Sequence, residues 1–236
     1  MSTANGNGKQ KPKLRNHIAI VLDESGSMGS IRIEAIDAFN QQVKAIKETT
    51  AGQQSTVSLV KFNTVVSDPV YWAQPVETMS PIGPNDYMPN GMTAMLDAVG
   101  LTIDRLRVLP DADDEDTSFL VVIISDGHEN NSKKYSYRDV AERIQTLDAT
   151  ERWTFTYLGA NQDLSQVSAD LHIPVQNTSA FIASSAGMAE GARVHDAGTR
   201  KYLRSRAAGQ KNLKDFYVPD PAPEPPAPEN GESWNR

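Results

Sequence analysis

Cysteine is absent from the 236 residues. That excludes disulfides, a thiol nucleophile and any thiolate metal site. Histidine is scarce, with four in the chain, and none fall at the spacing of a zinc site. Positive charge is in deficit: 23 basic residues against 30 acidic give a formal charge of −7. A nucleic-acid binder shows a basic surface, so nucleic acid is not the expected partner. No apolar run approaches the roughly 20 residues that a membrane span requires. The opening stretch MSTANGNGKQKPK lacks the apolar core of a signal peptide, so the expected location is the cytoplasm. No G-x-G-x-x-G follows a strand-like run, which sets aside a dinucleotide-binding enzyme.

The most informative stretch that is present runs from His17 to Gly29, HIAIVLDESGSMG. Ile18 to Leu22 is apolar, rich in β-branched residues and without polar alternation. A strand of a parallel sheet, buried on both faces, reads this way. The run stops at Asp23. Ser25 and Ser27 then add two hydroxyls within five positions, and Gly26 permits a tight turn. Ligands of open parallel sheets bind at the carboxyl ends of the strands. Hard oxygen donors in that place suit Mg2+, Mn2+ or Ca2+ rather than zinc or copper. By itself D-x-S-x-S also fits an ordinary turn or helix N-cap.

Two further stretches join it. Asn90-Gly91-Met92-Thr93-Ala94 precedes a helical apolar pattern. Phe119 to Ile124 is a second buried strand and ends in Ser125-Asp126-Gly127. Together, strand-DESGS, GMT and strand-SDG resemble the metal-ion-dependent adhesion site of von Willebrand factor type A domains, over roughly Asn16 to Val175. The resemblance implies a metal held by Asp23, Ser25, Ser27, Thr93 and Asp126. Mg2+ is the expected ion, with Mn2+ or Ca2+ as substitutes. It also implies a partner protein whose Glu or Asp completes the coordination sphere. The type resembled is the intracellular one of bacteria and phages, some of whose members work beside ATPases of the AAA+ class.

The fold expected is α/β, a doubly wound and mostly parallel sheet of about six strands with one antiparallel edge strand, flanked by helices. Residues 1–14 read as a disordered arm and 15–176 as the domain. Ile36, Phe39, Val43 and Ile46 mark a helix over about 30–49. Val57–Phe62 and Val65–Trp72 read as a hairpin, and Pro69 demotes its second arm to an edge. Residues 73–91, rich in Pro and Gly, form a long loop that delivers Thr93. Leu96, Val99, Ile103 and Leu106 mark a helix ending before Pro110. The acidic run at 111–116 lacks the glycine and final glutamate of a calcium loop and reads as a solvated connector. Ser136 and Asp139 form a capping box for a helix striped by Val140, Ile144 and Leu147. Trp153–Leu158 is a strand, and His172–Val175 is expected to close the sheet. Residues 177–217 form a helical extension with a solvated basic end at Arg200, Lys201, Arg204 and Arg206. Residues 218–236, dominated by Pro and Glu, read as a disordered tail.

Around the five donors, Glu24 is expected to face solvent and His17 to be structural. His128, Glu129, Tyr87 and Met88 are candidates for a contact rim. The function expected is a non-enzymatic, metal-dependent protein-binding module. A Mg2+-dependent phosphatase of the haloacid dehalogenase type is the main competitor, because its nucleophilic aspartate also follows a buried strand. Here Ser25 stands where that mechanism needs its general acid. A third reading is an assembly protein that keeps the fold with an unused metal site.

Overall fold

The computed structural model describes residues 14–50, 52–160 and 162–221. Six strands form one sheet: β1 (Arg15–Asp23), β2 (Gln54–Phe62), β3 (Tyr71–Pro75), β4 (Thr117–Ser125), β5 (Trp153–Ala160) and β6 (Thr178–Phe181). Their order is β3-β2-β1-β4-β5-β6, and only β3 runs antiparallel. The central strand β1 is the apolar run of the sequence. Alternation of side chains divides it between two layers. Ile18, Ile20 and Leu22 pack under α1 (Arg32–Thr49) and α5 (Ser185–Ala207). Ala19 and Val21 pack on the other face, under α2 (Met95–Leu106) and α3 (Tyr137–Asp148). The short α4 (Leu164–Leu171) adds Leu171 to that second layer.

The capping box of α3 is present: the Ser136 hydroxyl accepts from the Asp139 amide, and the Asp139 carboxylate accepts from the Ser136 amide. The second hairpin arm differs from expectation. A ladder begins at Val66 opposite Phe62, breaks at Asp68-Pro69 and resumes as β3 only at Tyr71. Pro69 has no N–H to donate, so the apolar run from Val65 to Trp72 cannot form one strand. The closing strand also differs. His172 adopts a left-handed conformation as the C-cap of α4, and Val175–Asn177 forms a 3-10 turn after Pro174. The apolar character of this segment comes from Ile173, which is buried in the second layer. The last strand, β6, therefore lies beyond residue 176.

The basic end of α5 is solvated only in part: Arg204 stays exposed, while Arg206 is buried. Arg206 is 1 % exposed and donates to Asn16 Oδ1 at 2.8 Å and to the Asp116 carbonyl at 2.7 Å. Arg200 pairs with Glu48 on α1 at 2.8 Å, Lys201 with Asp215 at 2.7 Å, and Arg204 with Asp220 at 2.7 Å. These pairs dock α5 and the segment after it onto the domain. The acidic connector is likewise tied down, by His17 to Asp111 and Arg15 to Asp114. Most of the arm and of the tail lies outside the described residues.

Candidate functional site

The site lies at the carboxyl edge of the central strands. Asp23 ends β1, and Asp126 follows the last residue of β4, Ser125. These strands are parallel neighbours, with Leu22 opposite Ile124, so their loops emerge side by side. Ser25 and Ser27 sit at the start of a 3-10 turn, Gly26–Ile31. Thr93 stands two residues before α2. The loop carrying it is positioned by Asn130, whose side chain accepts from the Thr93 amide at 2.9 Å. In return the amides of Asn130 and Asn131 donate to the Thr93 carbonyl at 3.0 and 3.2 Å.

All five residues singled out from the sequence come together. Ser27 Oγ donates to Asp126 Oδ1 at 2.6 Å and lies 3.1 Å from Ser25 Oγ. Asp23 Oδ1 accepts from the Ser25 amide at 2.7 Å, and Oδ2 accepts from Ser125 Oγ at 2.6 Å. Thr93 Oγ1 and Ser27 Oγ border Gly127; a Cβ built there would lie 3.4 and 3.7 Å from them. Gly91 permits the approach of the third loop. It has φ +73, and a Cβ in its place would meet Thr64 Oγ1. Its carbonyl accepts from the Gly26 amide at 3.1 Å, which joins the first loop to the third. Gly26 itself has no such requirement, since a Cβ there would meet only ordinary contacts.

Both carboxylates are buried, Asp23 at 0 % and Asp126 at 5 % exposed. Burial pushes the Asp23 carboxyl up to about 6, against the opposing pull of the Ser125 and Ser25 hydrogen bonds. Burial also raises Asp126. Among the described residues no cationic side chain pairs with either. Two buried acids that lack a counter-charge, joined by three hydroxyls, are a donor set that fits a hard divalent cation. Among the described residues no group of three or more His, Cys, Asp or Glu is arranged to hold a metal ion, so the donor set rests on two carboxylates and three hydroxyls.

Several neighbours depart from expectation. Glu24 is buried rather than solvent-facing, and accepts from Lys61 Nζ at 2.8 Å and from the Met88 amide at 2.7 Å. Tyr87 is wholly buried, and its hydroxyl donates to the Asp23 carbonyl. It braces the loop that follows Asp23 and is not a contact surface. Met88 is exposed, as is Met92 on the same loop. Glu129 turns inward to accept from the amides of Leu96, Asn131 and Ser132, which fastens the 128–132 loop to the start of α2. His17 is structural, lying between Thr56 Oγ1 at 2.7 Å and Asp111 at 3.0 Å. Ser125, Lys61 and Asn130 were not legible as site residues. Each acts through a partner far along the chain; Ser125 lies within the SDG motif, and no local spacing marks Lys61 or Asn130.

The family model for the von Willebrand factor type A domain matches residues 17–185. The chain belongs to the von Willebrand factor type A family. No curated protein matches it in sequence. Solved structures share its fold at low identity. The manganese-loaded TRAP protein of Plasmodium vivax is 14 % identical, with a TM-score of 0.50, over 76 % of this chain and 71 % of that one. The pilus adhesin SpaC of Lactobacillus rhamnosus GG is 10 % identical, with a TM-score of 0.59, over 82 % of this chain and 31 % of the adhesin. Proximal thread matrix protein 1 of the mussel byssus is 13 % identical, with a TM-score of 0.55, over 78 % and 48 %. The chain thus spans less than half the length of the adhesin and of the matrix protein. Among its described residues no helix is long and apolar enough to cross a membrane.

Proposed function

We propose that this type A domain is a binding module, not an enzyme, which holds one Mg2+ or Mn2+ ion at Asp23, Ser25, Ser27, Thr93 and Asp126 and takes a carboxylate from a partner protein. The observation that carries the reading is the pair of buried carboxylates without a counter-charge, set among three hydroxyls at the carboxyl edge of the sheet. A manganese-loaded relative in fold lends weight to the choice of ion. Ca2+ is a less favoured occupant, since it takes up to about eight oxygen ligands, whereas five side chains and one partner carboxylate make the six that Mg2+ takes. A bound cation supplies an electrophilic position for an outside oxygen ligand. The chain's own part is to hold the five donors in place before the ion arrives, through Ser125, Tyr87 and Asn130. With two aspartates beside the ion, little net positive charge remains, so affinity for the partner comes mainly from the surrounding loops. The exposed Met88 and Met92 belong to that rim.

Asp23→Asn tests the reading. The substitution keeps an oxygen for the Ser25 amide and removes the charge. Calorimetric titration with Mg2+ and Mn2+ is expected to show one site in the wild type and a loss of at least about tenfold in affinity in the variant. Equal binding by both proteins overturns the assignment. Stability gives a second readout. A carboxyl raised from 3.8 to about 6 works against folding by up to about 3 kcal/mol once pH exceeds 6. In chelator at pH 7, Asp23→Asn is therefore expected to melt above the wild type, and added Mg2+ is expected to stabilise the wild type alone. For the partner, capture is expected to fail equally in chelator and with Thr93→Ala, a change that removes a hydroxyl without opening a large cavity.

A further inference from the structure

Glu24 stands between two of the residues assigned to the metal, yet its side chain turns away from them. Its carboxylate meets Lys61 Nζ at 2.8 Å, and both side chains are largely buried, 5 % and 13 % exposed. Leu22 is paired with Lys61 across the β1–β2 ladder, which brings the lysine to the same sheet edge as Asp23. The Tyr87 hydroxyl donates to the Asp23 carbonyl and the amide of the next residue, Met88, donates to Glu24, so one short segment ties Glu24 to the edge that carries Asp23. Counting charges, Asp23 and Asp126 supply two negatives, Glu24 a third, and Lys61 one positive. The Glu24–Lys61 pair is therefore neutral and leaves the net charge of the edge at minus two.

We propose that the Glu24–Lys61 pair sets the charge of the metal site, with Lys61 limiting its affinity for the cation and Glu24 cancelling Lys61. This rests on the metal reading above. The same pair also has a mechanical duty, because Glu24 Oε1 accepts from the Met88 amide at 2.7 Å. The two duties separate cleanly by substitution. Glu24→Gln keeps an oxygen for the Met88 amide and leaves the Lys61 charge without a partner. Lys61→Met keeps the aliphatic stem and leaves Glu24 as a third negative charge. A mechanical role makes both variants lose metal affinity. An electrostatic role moves them in opposite directions, and the double variant, again neutral, returns toward the wild type.

Calorimetric titration with Mn2+ on the full chain is the test, with Mg2+ as a second ion. Glu24→Gln is expected to weaken binding, and Lys61→Met to tighten it, each on the order of fivefold to tenfold for a unit charge beside a partly buried site. The double variant is expected within about twofold of the wild type. The effects are expected to shrink in high salt less than those of an exposed charge. Losing a buried partner is destabilising, so Lys61→Met can fail to fold. Glu24→Gln and the double variant then still decide, since a weak single variant restored by the second substitution supports the inference. Weakening in both single variants, or a double variant as weak as Glu24→Gln, overturns it. A wild type that binds no ion overturns the metal reading instead, which keeps the two failures apart.

Discussion

Single residues in this protein are set by what surrounds them more than by their type. His195 on α5 is 3 % exposed. Its Nε2 lies 2.7 Å from the Gln42 amide nitrogen, so Nε2 accepts and the ring is neutral. Nδ1 then donates to the Tyr217 hydroxyl at 2.9 Å. Burial pulls its pKa down from 6.5 to about 3. Below pH 6.5 the unfolded chain takes up a proton that the folded one refuses. The stability due to His195 is thus fully present above pH 6.5 and is lost as pH falls toward 3, at up to about 1.4 kcal/mol per pH unit. Asp23 works in the opposite sense between pH 4 and 6, so the comparison needs a variant. The stability difference between wild type and His195→Gln is expected to shrink steadily from pH 7 to pH 4.5 by urea unfolding. A difference that stays constant would mean that the buried imidazole accepts a proton without cost.

At the scale of elements, the docking of α5 is decided by close approach. A Cβ at Gly198 would lie 2.3 Å from a ring carbon of Phe216 and 2.8 Å from its carbonyl oxygen. Phe216 is 1 % exposed and belongs to the layer beneath α1 and α5. Alanine in a helix interior is intrinsically favoured over glycine by about 1 kcal/mol. Overpacking costs typically 1–3 kcal/mol, and here the backbone carbonyl of Phe216 cannot rotate aside. The clash is expected to win, so Gly198→Ala should lower stability by about 1–2 kcal/mol in chemical denaturation. An increase would show that Phe216 moves freely. A helix read from sequence alone contains Gly198 as a weak point; the structure makes it a contact.

For the whole molecule, the segment after α5 belongs to the core. Leu213 and Phe216 are buried, the Leu213 amide donates to Thr154 Oγ1 at 2.9 Å, and the Phe216 amide donates to Asn177 Oδ1 at 2.8 Å. The last part of the 177–217 segment is therefore held in the folded unit by these two residues. A chain ending at 221 is expected to keep the melting temperature of the full protein. A chain ending at 211 loses two buried apolar side chains, at about 2–5 kcal/mol each, and is expected to melt many degrees lower. Equal melting of the two shortened chains would show that the 212–221 segment adds nothing. The burial of Leu213 and Phe216 was hidden in the sequence because the two follow no helical or strand period.

The sequence by itself determined the sheet and its mostly parallel character, and the family resemblance it carries pointed to the five residues that meet at the sheet edge. Ile18–Leu22 and Phe119–Ile124 read as central strands because they are short, uniformly apolar and rich in β-branched residues, and Asp23 and Ser125-Asp126 directly follow them. Local chemistry was enough there, because alternation and strand ends are properties of neighbouring residues. Only the tertiary structure decided where Glu24, Tyr87 and Arg206 point. Each is polar or amphipathic, and each is buried because a partner distant in the chain, Lys61, the Asp23 carbonyl or Asn16, meets its hydrogen-bonding need. It also decided that β6 begins at Thr178 and that β3 waits until Tyr71. Apolar runs mark what is buried, but prolines at 69 and 174 remove the donors that a ladder needs, and which neighbouring segment then takes the strand depends on the partner edge.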